Sequence, residues 1–129
     1  MHLIGVKEDD GWAFSRWELT YPVGWANITR AAAYAYEYYD RPEVLSGGER
    51  VEVEGPDEIS GIPEDRTLTL RGFSTVLNVP ISITFYNQIR AVDVNVLQMN
   101  EEFQNTDYEK FNHSLCQYLD SMELAMYRA

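Results

Sequence analysis

A chain of 129 residues, 45% of them hydrophobic and 13% aromatic, is long enough to bury one ordinary core and fits a single domain spanning residues 1–129. Its formal charge of −11 repels phosphates and anionic lipid heads, which argues against direct nucleic-acid or membrane binding and makes a basic protein the partner of matching sign. The lone Cys116 has no internal partner, MHLIGVKEDD lacks a basic region followed by a sustained apolar stretch, and no run of about 18 apolar residues occurs, so a cytoplasmic protein is expected.

The first unit, HLIGVKEDDGWAFSRWELTY, reads as a hairpin: strands near His2–Lys7 and Trp12–Thr20 about a turn at Asp9, Asp10 and Gly11. Pro22 and Gly24 then interrupt extended structure, and Asn27 stands where a helix N-cap accepts hydrogen bonds from free backbone amides. A helix over about Ile28–Tyr39 follows, with Ile28, Ala31, Ala32, Ala35 and Tyr39 on one face. The competing period-two pattern in AYAYEYY favours a strand, but the alanines decide for helix.

RPEVLSGGE, with Pro42, Gly47 and Gly48, reads as a loop. In ERVEVEG the alternation of Val51 and Val53 with Arg50, Glu52 and Glu54 predicts a strand with one acidic, solvated face. Gly55–Asp65 holds two prolines and two glycines and reads as a long loop of the functional or mobile kind.

A strand resumes at Thr67–Leu70. In VPISITFYNQIRAVDVNV, a two-residue turn at Asn87 and Gln88 would pair Ile83 with Val92 and Ile81 with Val94, all on one face, with Pro80 at a strand start or edge. Thr106 and Glu109 form an S/T-x-x-E capping box before a final helix ending near Tyr127. Its apolar stripe is Tyr108, Phe111, Leu115, Tyr118, Leu119, Met122, Ala125 and Met126. The order is ββα, then three or four strands, then α. It predicts an α+β domain, a mainly antiparallel sheet of about five or six strands with two helices packed on one face.

Motifs for chemistry are sparse, and the chain reads as a non-enzyme. His113, Cys116 and Asp120 share the polar side of the final helix with Glu109 one turn earlier, an arrangement that could hold a metal or activate a thiol. The acidic setting disfavours a thiolate, and a solvated helix face explains the pattern. His2 sits near the terminus. The carboxylate pairs Glu52/Glu54, Asp57/Glu58 and Glu64/Asp65 lie in loops or on a wet strand face, where acids are usually just solvated, and Gly47 and Gly48 belong to no phosphate cradle, so neither acid/base catalysis nor a cofactor is implied. Trp12, Trp17 and Trp25 read as core first and as a pocket lining second.

Two features point to recognition. Between Glu37 and Asp65 ten carboxylates face two arginines, a net −8 of the chain's −11, and four tyrosines fall within Tyr34–Tyr39, too many for one helix to bury. Tyr34, Glu37, Tyr38, Asp40, Glu52, Glu54, Asp57 and Glu58 are therefore the candidate partner-binding residues, expected to form one continuous outward-facing patch suited to a basic protein, as in an inhibitor, an immunity or anti-defence factor, or an adaptor. The alternative is a small-molecule-binding domain or small enzyme with a Trp/Tyr-lined pocket between sheet and first helix. A homodimer formed through a sheet edge or the tyrosine helix is compatible with either function.

Overall fold

The computed structural model describes residues 5–8, 11–14, 16–18, 24–63, 67–87, 91–96 and 108–125. In chain order these form β1 (Gly5–Glu8), β2 (Gly11–Phe14), β3 (Trp17–Glu18), α1 (Trp25–Tyr36), β4 (Tyr39–Ser46), β5 (Glu49–Val51), α2 (Pro56–Ile59), β6 (Thr67–Ser74), β7 (Val79–Tyr86), β8 (Ala91–Val96) and α3 (Tyr108–Ala125). The eight strands make one antiparallel sheet in the order β1-β2-β8-β7-β6-β4-β5, with β3 also paired to β8. This is the α+β class that the pattern predicts. The extra strands arise because Trp12–Thr20 divides into β2 and β3 and because RPEVLSGGE pairs rather than loops.

Alternation within the strands builds the core. Val51, Val44, Leu70, Ile83 and Val94 stand opposite one another across five strands, and a parallel row joins Leu68, Phe85, Val92 and Trp17. All but the half-buried Val51 are buried, and they form one cluster with Ile28, Ala31, Ala32 and Ala35 of α1 and Phe111, Leu115, Tyr118, Leu119 and Met122 of α3. Each large aliphatic side chain so enclosed contributes about 1.5–3 kcal/mol relative to exposure. The opposite face carries ion pairs and hydroxyl contacts. Arg16 forms two bonds to Asp93, at 2.8 and 3.2 Å, and Arg71 reaches Glu43 at 3.0 Å. Between these pairs the hydroxyls of Thr69 and Thr84 meet at 3.1 Å.

Several local expectations are corrected. The β7–β8 register pairs Ile83 with Val94 and Ile81 with Val96, two residues away from the register a turn at Asn87 and Gln88 would give, because Tyr86 pairs with Ala91. An even shift leaves every side chain on its expected face. Helix α1 starts and ends three residues early. Gly24 occupies its N-cap without a side-chain bond, so Asn27 lies inside the helix. Trp25 is drawn into the first turn because its indole N–H donates to the Ile62 carbonyl at 2.9 Å. At the far end Thr75 captures the Tyr38 carbonyl with both its backbone N–H and its hydroxyl, each at 2.8 Å, which pulls Tyr39 into β4.

The RPEVLSGGE segment is β4, its hairpin and the start of β5. Gly47 and Gly48, at φ of 59° and 86°, supply the doubly left-handed two-residue turn that suits a twisted hairpin. Pro42 is accommodated at a bulge between Asp40 and Glu43, where Arg41 adopts φ of 52°. The strand expected in ERVEVEG is short, ending at Val51, although the alternation of half-buried Val51 and Val53 with exposed Glu52 and Glu54 persists. Within the expected loop Gly55–Asp65, Pro56–Ile59 forms α2, and Ile59 is fully buried against α1. Pro80 lies second in β7, as expected of a strand start. The capping box at Thr106 lies outside the described residues.

The bulge leaves a testable constraint. A Cβ on Gly72 would lie 3.1 Å from Pro42 Cα, 3.2 Å from the Arg41 carbonyl oxygen and 3.2 Å from the Tyr39 ring, so a side chain there would push the β4 backbone back by a few tenths of an ångström. Gly72→Ala should cost about 1–3 kcal/mol of stability, the usual range for overpacking, read as a lower denaturation midpoint at unchanged slope.

Candidate docking surface

At the β5 end of the sheet the chain displays carboxylates on an anchored backbone. Val51 and Val53 pack against the core while Glu52 and Glu54 point out, and α2 continues the display with exposed Asp57 and Glu58. Pro56 in the first turn fixes φ for helical geometry, and the two acids favour the amide-rich start of this four-residue helix. Ile59 and Ile62 pin the segment from below. Glu58 also accepts a hydrogen bond from the Glu54 backbone N–H at 2.9 Å, so its carboxylate holds the ridge in shape as well as charging it. Arg50 approaches Glu52 at 3.6 Å, but with side-chain exposures of 65% and 87% the pair is strongly screened. Exposed Glu49 precedes them, which leaves the ridge strongly anionic.

The other four candidate residues gather at the α1–β4 junction. Tyr34 and Tyr38 are half-buried, their ring centroids 5.0 Å apart at 56°, and Glu37 and Asp40 are exposed beside them. Tyr34 follows Trp25 by nine residues, which at about 100° per residue is half a turn of helix. Trp25 is bonded to the segment after α2, so Tyr34 projects from the opposite flank of α1, where Tyr34 and Tyr38 face Tyr118 of α3. The eight residues do not form the one continuous patch expected: they divide into a carboxylate ridge (Glu52, Glu54, Asp57, Glu58) and a tyrosine flank (Tyr34, Glu37, Tyr38, Asp40), because α1 lies between them.

Sequence reasoning missed what adjoins that flank. The β6–β7 hairpin tip is bonded to Tyr38 through Thr75, and Phe73 and Val76 are exposed there by 39% and 51%. The only available signal was an apolar valine inside the turn-forming run STVLN. Val76 and Leu77 line an open depression of about 280 Å³ with Lys110, Phe111 and Ser114 of α3. This hollow is not the tryptophan- and tyrosine-lined pocket of the alternative reading, and Trp17 belongs to the core. His113 and Asp120 are exposed and Cys116 is half-buried, and among the described residues no cluster of histidine, cysteine or carboxylate side chains is arranged to hold a metal. No known protein family matches the chain, and searches of curated proteins and of solved structures return no significant match.

Beneath the tyrosine flank lies a buried phenol pair. Tyr118 donates its hydroxyl hydrogen to the Ala35 carbonyl at 3.3 Å, whereas the neighbouring Tyr39 hydroxyl is enclosed without a hydrogen-bond partner among the described residues. Burial raises both phenols well above their ordinary value, and the two couple to each other. A raised folded-state pKa leaves stability intact below the unfolded value of about 10 and erodes it above, where the unfolded chain releases protons that the folded chain retains. Tyr118→Phe should cost about 1 kcal/mol at neutral pH through the lost hydrogen bond to Ala35, whereas Tyr39→Phe should cost less, because the Tyr39 hydroxyl has only a loose contact with Tyr118 to lose. Either variant should flatten the alkaline decline in denaturation midpoint measured above about pH 10.

Proposed function

We propose that this protein is a non-enzymatic interaction protein that acts in the cytoplasm by binding a basic protein through the β5–α2 ridge. The observation that supports this reading is the anchored display of exposed carboxylates. Glu52, Glu54 and Asp57 project from a backbone that Val51, Val53 and Ile59 fix to the core, so the charges are held in place before a partner arrives. Such an array accelerates encounter with a positive surface and selects against negative ones. It suits the inhibitor, immunity or adaptor class, and a natural target is an enzyme whose basic groove otherwise receives nucleic-acid phosphates.

The test is capture of basic proteins from native lysate, followed by affinity measurement on the purified partner at rising ionic strength. Wild-type binding should weaken steadily with salt, and the triple reversal Glu52→Lys, Glu54→Lys, Asp57→Lys should lower affinity by at least about tenfold. Affinity indifferent both to salt and to the reversal would overturn the reading. Glu58 is left intact because its carboxylate also braces the backbone.

A further inference from the structure

Resting on the basic-partner reading of the ridge, we propose that the free edge of β5 takes its partner as an added antiparallel strand, so that backbone pairing works together with the carboxylates. The direction of the backbone follows from the ladder. Gly47 donates its N–H to the Thr67 carbonyl on the β6 side, so Ser46 and Val44, out of phase with it, bond toward β5, where they pair with Glu49 and Val51. Across a trans peptide the C=O of one residue and the N–H of the next point opposite ways. The N–H and C=O of Arg50 and the N–H of Glu52 therefore point away from β4. Among the described residues no strand lies beyond β5, and no backbone bond reaches those three groups.

The two faces of the edge specify the occupant. The core row from Val94 through Ile83, Leu70 and Val44 is buried, but it ends at Val51, which like Val53 is only half-buried, so β-branched residues of an added strand would complete it. Glu52 and Glu54 alternate with these valines and are exposed, and Glu49 is exposed at the hairpin end, so cationic side chains of the same strand would meet them. The occupant is thus an extended segment of a basic protein in which apolar and cationic residues alternate. A second copy is the disfavoured occupant. Two β5 edges would bring Glu49, Glu52, Glu54, Asp57 and Glu58 of each chain together against Arg50, and like charge of this kind keeps sheet edges from joining one another.

The probe is the peptide Lys-Val-Lys-Val-Thr-Lys, capped at both ends, whose antiparallel register sets its lysines near Glu54, Glu52 and Glu49, its valines beside Val53 and Val51, and its threonine opposite Arg50. Titration at low salt to about 5 mM, followed by amide shifts and hydrogen exchange, should show binding that slows exchange at the Arg50 and Glu52 amides. Backbone N-methyl groups on the threonine and the second lysine, whose N–H groups face β5, should raise the dissociation constant at least about tenfold, whereas N-methyl groups on the two valines, which face away, should not. Arg50→Pro removes an outward donor at a position an edge strand tolerates, and it should weaken binding even though losing a cation favours a basic ligand. Equal affinity of the two methylated peptides, tighter binding by the proline variant, or no binding at about 5 mM overturns strand addition, and the ridge reading then still stands on its own salt and charge-reversal test. Equal binding of a peptide with glutamates in place of the lysines overturns both. Protection of the same amides that rises with protein concentration alone makes a second copy the occupant and also overturns the proposal.

Discussion

The close seating of α1 on the sheet is the constraint on which the remaining architecture depends. Ile28, Ala31, Ala32 and Ala35 are at most 1% exposed, and three alanines in that face let the helix axis approach β4 and β6 more closely than larger side chains would permit. With α1 low on the sheet, its flanks become binding edges for the other two helices. The Trp25 flank receives the α2 segment through the indole bond to Ile62, and the Tyr34 flank receives α3 through Tyr118. The small face of one helix thereby decides where the acidic ridge and the tyrosines come to lie.

What was legible in the sequence was whatever a short-range period carries. The valine and isoleucine alternation placed Ile81, Ile83, Val92 and Val94 on the core face, and it did so even though the connection is longer than expected, because a slip of two residues preserves the face. The stripe of α3 was equally readable from Phe111 to Ala125. The misreadings share a cause: local signals that tertiary contacts overrode. Pro42, Gly47 and Gly48 are loop-forming residues, yet a bulge accommodates the first and a tight hairpin uses the other two. Asn27 has the chemistry of a cap, but Trp25 found a hydrogen-bond acceptor 37 residues away and carried the helix start past it.

The candidate surface was half legible for the same reason. Composition located the carboxylates, and alternation around Val51 and Val53 foretold that Glu52 and Glu54 would face solvent. No sequence period reports which flank of a helix a neighbour will occupy. The separation of the tyrosines from the ridge therefore emerges only from tertiary contacts, as does the partnership of Tyr38 with the hairpin tip. Arg16 and Arg71 add a further effect invisible to composition: they pair with Asp93 and Glu43 on the outer sheet face, whereas Glu49, Glu52, Glu54 and Asp57 stand exposed at the β5 end.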